Sequence, residues 1–415
     1  MPGIPKPVLT STSSILTPQP CVEMMVFYPQ LVPIIMITVA DITEKAEQQT
    51  GLKANLDPKV NEALTTLVNA MQEAKLTERG WQSMGGTITG NLVNRLKVEN
   101  HLAEHPELLD TPVTKPMFVF GLPRTGTTLL INLLNEDANR RCFLRWESLN
   151  SVPPPKADEL LTDPRCVESQ KMTEMSLKHA PHIAAIHYED AHSPTECQFA
   201  MSQSFCAQFY DSMMAVPSYH EWFLNADYQP AFDYQKKLLQ LLQSEAPGQW
   251  TLKNPWHPLY LNALKATYPD AQLVMTHRDP VDVVASACSL VKHVRRMFSE
   301  DVDLEYLGQQ MLRTFHLMTE RTLAYKKAHG WDAIYDVQYT DLMQDPIGEI
   351  QKLYQHFDTP FTEALAQSLD NYMGNNPKGK FGKHEYNLEE YGLTEAQIRS
   401  EFSDYCKTFN IPTRS

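Results

Sequence analysis

The sequence predicts an α/β protein of three layers, in which helices cover both faces of a central parallel sheet. Two observations lead to this prediction. First, a short apolar run at residues 116–120 and further strand patterns at residues 249–253, 272–276 and 333–337 alternate with helical patterns, and strands that alternate with helices form parallel βαβ units. Second, a glycine-containing turn joins the first run to its helix. Further helical segments predict an N-terminal extension and a lid around this core.

Composition indicates a globular, enzyme-sized chain. Its 415 residues allow one large α/β domain with an extension, and 42% of them are hydrophobic, which is enough for a sizeable core. The formal charge of −14 argues against general nucleic-acid binding, because a phosphate backbone is held by clustered Lys and Arg side chains. Any site for an anion must therefore be local.

Seven cysteines are scattered along the chain without CxxC spacing. This pattern favours reduced thiols and a cytoplasmic setting over a disulfide framework or a zinc site. Residues 1–40 are expected to form a poorly ordered leader, whose first 22 residues are rich in Pro, Ser and Thr. Residues 24–40 are uncharged and largely apolar, but they are shorter than the about 20 residues that span a bilayer. Membrane association is therefore not expected. The alternative is that residues 24–40 anchor the protein to a membrane.

Helical periodicity begins at residue 41. Five apolar residues recur at spacings of three and four, as a buried helix face requires. They are Val60, Leu64, Leu67, Val68 and Met71. We therefore assign residues 41–110 to a helical extension and residues 111–410 to the main domain. Within the main domain, residues 151–249 lack strand signals and are rich in Met, Phe, Tyr and His, which predicts a helical lid over an acceptor pocket.

The turn after the first strand has the pattern of a phosphate-binding loop. Gly121 and Gly126 frame this turn between a strand and a helix, where backbone N–H groups and the helix dipole attract phosphate. Nucleoside triphosphatases follow the second glycine with a Lys that reaches the β and γ phosphates, but this chain has Thr127 there. The cation lies inside the loop instead, at Arg124. This P-loop-like turn therefore suits a terminal 5′ group that has to be bound and polarised.

The centre of the loop reads Pro123-Arg124-Thr125-Gly126-Thr127-Thr128. This run resembles the 5′-phosphosulfate loop of sulfotransferases that use 3′-phosphoadenosine 5′-phosphosulfate (PAPS), in the style of the bacterial and tyrosyl-protein enzymes. The resemblance covers residues 115–405. It implies that Gly121 and the loop residues bind PAPS, and that a sulfuryl group passes to a hydroxyl or amine with release of the nucleotide PAP.

A second donor-binding motif follows the third strand, where Arg278 and Ser286 are eight residues apart. In the sulfotransferases an Arg at a strand end and a Ser on the next helix bind the 3′-phosphate, and a guanidinium with a hydroxyl suits a terminal phosphate. The resemblance also implies that Tyr339 lies near the adenine. It further implies a basic segment that closes over the 3′-phosphate, although the Arg that opens the family pattern is missing. That segment contains Lys378, Gly379, Lys380 and Lys383.

Sulfuryl transfer needs an in-line nucleophile, a base that takes its proton, and cations near the leaving oxygen. Arg124 is the first candidate for the leaving-group cation, and the resemblance implies Lys253, at a strand end, as the second. The family uses His in some branches and Glu in others as the base. His257 is the first candidate here, with a spacing from Lys253 unlike that of the cytosolic branch, and Glu147 is the second. The other candidates are His187, Glu189, His192 and Glu196.

No metal is expected in this chemistry. The histidines at positions 179, 182, 187 and 192 lack HExxH spacing and paired cysteines. Two other functions stay as alternatives: a P-loop small-molecule kinase, which the missing loop Lys disfavours, and a non-catalytic PAP-binding protein, which the presence of Arg124 and Lys253 disfavours. The aromatic lid indicates a small-molecule or lipid-like alcohol as the acceptor, and the sequence does not define the oligomeric state.

Overall fold

The computed structural model describes residues 36–179, 189–376 and 387–412. Its sheet has the strand order β2-β3-β1-β4-β5, and every neighbouring pair runs parallel. The strands are β1 Met117–Gly121, β2 Arg140–Cys142, β3 Gln249–Lys253, β4 Gln272–His277 and β5 Tyr335–Gln338. The predicted parallel sheet is confirmed, and the short edge strand β2 is an addition to it.

Helices precede, interrupt and follow the strands. The N-terminal helices are α1 Val39–Thr50, α2 Pro58–Ala70 and α3 Glu78–Glu104. Between β1 and β3 lie α4 Thr127–Leu134, α5 Arg145–Leu149, α6 Pro164–His179, α7 Gln198–Met201, α8 Gln208–Met213, α9 Pro217–Asn225 and α10 Gln229–Gln243. After β3 come α11 Leu261–Thr267, α12 Pro280–Arg295, α13 Leu304–His329, α14 Tyr339–Gln344, α15 Pro346–His356, α16 Glu363–Asn375, α17 Glu395–Glu401 and α18 Ser403–Thr408.

Both faces of the sheet are covered. Side chains alternate along a strand, and in β1 Phe118 and Phe120 join one hydrophobic cluster while Met117 and Val119 join another. The first cluster also contains the predicted buried face of α2, including Leu64. The N-terminal helices and the sheet therefore share one core, as expected for a three-layer fold with a helical extension.

The carboxyl ends of β1, β3 and β4 meet at one edge of the sheet, because neighbouring strands are parallel. Each of these strands continues into a segment that the sequence singled out: the glycine loop after β1, Lys253 at the end of β3, and Arg278 after β4. Asp279 caps α12, accepting from the Val281 N–H at 3.0 Å. Such an edge is where α/β proteins bind their ligands.

Two further findings bear on the sequence predictions. Within the described ranges, no helix has both the length and the apolar character needed to cross a bilayer. Residues 24–35 of the apolar leader lie outside those ranges. The cysteines that the structure describes are free thiols, and the cytoplasmic setting and the domain boundaries stay predictions.

Candidate active site

The loop between β1 and α4 has a backbone that suits an anion. Gly126 precedes the first turn of α4 with φ of 95°, and no side chain caps this helix end. The first N–H groups of a helix have no partners inside it, so they and the dipole attract negative charge. Arg124 also adopts a left-handed conformation, with φ of 69°. A Cβ at Gly121 would lie 2.4 Å from the Thr276 carbonyl oxygen, so that position needs glycine.

Thr125 anchors the loop to the sheet. Its hydroxyl donates to the Leu122 carbonyl at 2.6 Å and lies 2.6 Å from the Thr276 hydroxyl on β4. Its side chain is fully buried. Thr125 therefore fixes the loop shape, whereas Thr127 and Thr128 line the neighbouring cavity.

The structure brings the two predicted donor motifs together. The Arg124 Nε donates to the Ser286 hydroxyl at 3.1 Å, and the Arg278 guanidinium donates to the Arg124 carbonyl at 2.9 Å. Asp282, one turn into α12, accepts from Arg278 at 3.1 Å. The Arg278 guanidinium also lies 4.4 Å from the centre of the Tyr339 ring. Two arginines, a hydroxyl and an aromatic ring thus form one cationic group beside the loop.

A cavity of about 670 Å³ extends from this cationic group. Its polar end is lined by Pro123, Arg124, Gly126, Thr127, Thr128, Arg278 and Tyr339. Its apolar wall is formed by Phe199, Phe209, Met213, Trp256, Leu290, Val291, Val294, Met311 and Phe315. Much of that wall comes from α7 and α8, within the predicted lid, and from α12 and α13. One cavity therefore joins a cationic end to an apolar surface.

A buried ion pair adjoins this cavity. The Lys253 Nζ lies 3.0 Å from the Glu196 Oε1, and the two residues are 1% and 7% exposed. Their backbones form a parallel bridge, in which the Cys197 N–H donates to the Lys253 carbonyl at 2.7 Å. Glu196 lines the cavity, and the Gln198 amide donates to it. A carboxylate and an ammonium are thereby held at the end of β3, close to the phosphate-binding loop.

His257 lies elsewhere. It is fully buried in the core, with its ring 5.2 Å from that of Phe118 and 5.9 Å from that of Phe232, centre to centre. Neither ring nitrogen has a hydrogen-bond partner, and burial lowers the pKa of His257 to about 3. The side chain is not part of the cavity lining. Although His257 is near Lys253 in the sequence, it lies in a 3₁₀ turn at residues 257–259, and its ring packs into the aromatic core.

Glu147 is also separate from the cavity lining. Its carboxylate accepts from the Arg141 guanidinium at 2.5 Å and from the Leu144 N–H at 3.0 Å. Burial raises the pKa of the Glu147 carboxyl, and the Arg141 guanidinium opposes part of that rise. Both side chains are buried, which makes this pair a connection between β2 and α5.

The remaining predicted residues divide into two groups. Glu189 lies 3.8 Å from the Arg145 guanidinium, and His192 is half-buried; neither lines the cavity. The others lie outside the described residues and stay predictions: His187, Lys378, Gly379, Lys380 and Lys383. Among the base candidates that the structure describes, Glu196 alone lines the cavity.

Residues 116–363 match the model of the sulfotransferase family, which is more than half of the chain. The chain belongs to the sulfotransferase family. Its fold is similar to the crystal structure of the sulfotransferase STF9 from Mycobacterium avium, with 32% identity, a TM-score of 0.86, and coverage of 90% of this chain and 97% of that one. The STF1 structure from Mycobacterium tuberculosis is 30% identical, with a TM-score of 0.80 and coverage of 89% and 99%.

Two curated relatives are more distant. They are named omega-hydroxy-beta-dihydromenaquinone-9 sulfotransferase Stf3, from Mycobacterium bovis and Mycobacterium tuberculosis, and each is 22% identical over 300 residues, covering 68% of this chain and 72% of the relative. The predicted activity is thus confirmed at the level of the reaction. This protein is a sulfotransferase, an enzyme that transfers a sulfuryl group to an acceptor.

A buried polar network supports the apolar wall of this sulfotransferase. Asp211 on α8 accepts from the Gln310 amide at 2.9 and 3.1 Å, and its carbonyl accepts from the Arg295 guanidinium at 2.8 Å. His220 on α9 lies 3.2 Å from the same carboxylate. Burial alone would raise the pKa of Asp211, but its contacts with His220, Arg295 and Gln310 lower that pKa. The network fixes α8, α12 and α13 relative to one another.

Sequence reasoning missed several residues of the sulfotransferase cavity. Asn132 lies four residues after Thr128 on α4, and residues four apart share a helix face, so its presence in the lining could have been foreseen. Phe209, Met311 and Phe315 gave no comparable signal. They read as ordinary buried aromatic and apolar positions until the packing of α8 against α12 and α13 is known.

Proposed function

We propose that this sulfotransferase takes its sulfuryl group from PAPS and transfers it to the hydroxyl of a lipid-like acceptor, with Glu196 as the base. One observation carries the proposal. The cavity has a cationic end at Arg124 and Arg278 and an apolar wall, and the Glu196 carboxylate lies in the same lining. Donor anion, proton acceptor and apolar chain thus each have a matching surface in one space.

The charges at the cationic end support PAPS as the donor. In this proposal the start of α4 and Arg124 bind the 5′-phosphosulfate, while Arg278 and Ser286 bind the 3′-phosphate. A Cβ at Gly126 would lie 3.1 Å from the Tyr339 ring, so glycine keeps the loop close to the ring proposed to contact adenine. Lys378, Gly379 and Lys380 are proposed to close over the 3′-phosphate.

The proposed reaction is a direct transfer. Glu196 takes the proton of the acceptor hydroxyl while the hydroxyl oxygen forms its bond to sulfur. The bond between sulfur and the bridging oxygen of the donor breaks, and PAP leaves. Arg124 and the N–H groups at the start of α4 stabilise the charge that develops on the leaving phosphate. Lys253 orients Glu196 and compensates the negative charge near the sulfuryl oxygens.

The apolar wall supports a lipid-like acceptor. A volume of about 670 Å³ lies in the range of small-molecule sites, and burial of an apolar chain supplies binding energy in proportion to its area. The curated relatives are named for an omega-hydroxy menaquinone derivative. By analogy, we propose an alcohol at the end of an apolar chain, with the chain along Phe209, Met213 and Phe315.

Calorimetry with PAP tests the donor. We expect the wild-type protein to bind PAP, and Arg278→Ala to weaken binding by about 10- to 100-fold, because hydrogen bonds to charged groups contribute about 1.5–3 kcal/mol. Arg296→Ala, at the exposed end of the same helix α12, is the matched control and should leave the affinity unchanged. Binding of ATP with magnesium in place of PAP would contradict the proposal.

Transfer of labelled sulfate from PAPS tests the acceptor. We expect transfer to a long-chain primary alcohol and a weaker or absent signal with polar sugars. If PAP binds but alcohols, phenols, amines and sugars all stay unlabelled, the proposed acceptor class is wrong. If only polar sugars are labelled, the lipid-like acceptor is wrong while PAPS as the donor stands.

A further inference from the structure

Two imidazoles and a carboxylate meet at the C-terminal end of α3, on residues that do not line the active-site cavity. His101, Glu104 and His105 have ligand atoms that all lie within 4.8 Å of one another. Residues three and four apart share a helix face, and the two imidazole centres are 4.7 Å apart. Among the residues that the structure describes, this is the one group of three such side chains placed to share a metal ion.

Neighbouring side chains orient two of the three groups. The His105 Nδ1 lies 3.2 Å from the Glu107 Oε1. When Nδ1 donates its proton to that carboxylate, Nε2 keeps its lone pair for a ligand bond, which is the arrangement of many metal-bound histidines. The Asn100 amide donates to the Glu104 Oε1 at 3.0 Å, so one carboxylate oxygen accepts this hydrogen bond and the other can serve as a ligand.

The local electrostatics favour a cation. The C-terminal end of a helix carries partial negative charge from its unpaired carbonyl groups. The carboxyl groups of Glu104, Glu107 and Glu245 interact electrostatically with His101. A divalent cation bound at His101 would be stabilised by these negative charges.

We propose that His101, Glu104 and His105 bind a divalent transition metal, with zinc as the best match, and that the metal stabilises the last turn of α3. Two nitrogen ligands and one oxygen ligand with a water molecule make a four-coordinate zinc site. Magnesium and calcium are excluded by this ligand set, because both prefer oxygen ligands throughout. The site is independent of sulfuryl transfer.

The position of the site gives the metal a structural role. Helix α3 ends at Glu104, and a 3₁₀ helix at Pro106–Asp110 leads from it toward β1. The Gln240 amide of α10 donates to the carbonyls of Leu109 and Thr111 at 2.6 and 3.0 Å, so hydrogen bonds already hold the end of this connection that is farther from α3. A metal bound to His101 and His105 would hold the end next to α3 and prevent fraying of the helix.

Zinc titration of the metal-stripped, tag-free full chain tests the proposal. We expect one equivalent of zinc to bind, with at least about tenfold weaker binding in His101→Ala and in His105→Ala, and about tenfold weaker binding in Glu107→Gln. His329→Ala is the matched control, because His329 is also an exposed histidine at the C-terminal end of a long helix. Its zinc affinity should equal that of the wild type.

Two further measurements separate this site from other histidines. Cobalt should give a visible absorption band of four-coordinate geometry in the wild type and in His329→Ala, and the band should be absent in His105→Ala. Zinc should raise the midpoint of thermal unfolding in the wild type but not in His105→Ala. The proposal is wrong if zinc fails to bind at a several-fold molar excess, or if both alanine variants at the site keep wild-type affinity.

Discussion

Replacing Glu196 with Gln examines the proposed base directly. Glutamine keeps the size of the side chain and one oxygen acceptor, but it cannot take a proton at neutral pH. The substitution also leaves the ammonium of Lys253, which is 1% exposed, opposite an uncharged amide. Two separate losses are therefore expected, one in the rate of transfer and one in the free energy of unfolding.

The loss in kcat and the loss in the free energy of unfolding can be measured in separate experiments. A positioned general base contributes about 10²- to 10⁴-fold to the rate, so kcat should fall by that factor. Removal of one partner from a fully buried ion pair costs about 3–5 kcal/mol. Because the Glu196 side chain is 10% exposed and borders the cavity, we expect a smaller loss of about 2 kcal/mol in the free energy of unfolding.

The assay is labelled sulfuryl transfer, performed well below the unfolding temperature of each variant, with PAP affinity measured in parallel. Glu196→Gln should keep its PAP affinity. The exposed Glu168→Gln on α6 is the control for a lost surface carboxylate and should keep both values. Glu147→Gln should lose stability through its pair with Arg141 but keep kcat. If Glu196→Gln retains kcat within a few-fold while Glu147→Gln loses it, Glu147 is the base and our assignment is refuted.

Two further predictions concern the loop and the core. Gly126→Ala should weaken PAP binding by about tenfold, because a Cβ at φ of 95° costs about 1–2 kcal/mol and would press on the Tyr339 ring. Calorimetry measures this change in affinity. The control is Gly374→Ala, whose added Cβ would meet only open space and which should bind PAP as the wild type does. His257→Leu should keep kcat. If a folded His257→Leu variant loses kcat, His257 takes part in the reaction and our assignment is wrong. Because the folded-state pKa of His257 is about 3 and that of the unfolded chain about 6.5, only the unfolded chain binds this proton between those values. Wild-type stability should therefore fall by up to about 1.4 kcal/mol per unit as pH drops below about 6.5, and His257→Leu should fall less steeply in thermal melts.

The sheet could be predicted from the sequence to the extent that its strands are apolar. Four segments that carry apolar side chains on at least one face gave β1, β3, β4 and β5. The edge strand β2 is Arg140-Arg141-Cys142, and its arginines are buried only because tertiary partners accept them. The Arg141 guanidinium lies 4.3 Å from the Trp250 ring centre, and Arg140 donates to the Tyr354 hydroxyl at 3.0 Å. No local pattern distinguishes such a strand from an exposed polar turn.

The site divides in the same way. The phosphate loop and the Arg278 motif each join a strand end to the next helix, so a short stretch of sequence contains their whole geometry. The identity of the proposed base depends on which segment, distant in sequence, packs against the end of β3. His257 was the first candidate because it is near Lys253 in the sequence, but the residue beside the Lys253 ammonium is Glu196, brought there by a parallel bridge. Proximity in sequence was a poor guide once the chain turned into the core.

The network around Asp211 bears on how the range of acceptors could change. It joins α8, α12 and α13 through buried hydrogen bonds, and α12 also carries Ser286 of the proposed donor site. Movement of these helices would disturb that donor site together with the acceptor wall. We therefore expect new acceptor preferences to arise from side-chain exchanges at Phe209, Met213 and Phe315, on a backbone scaffold that stays the same.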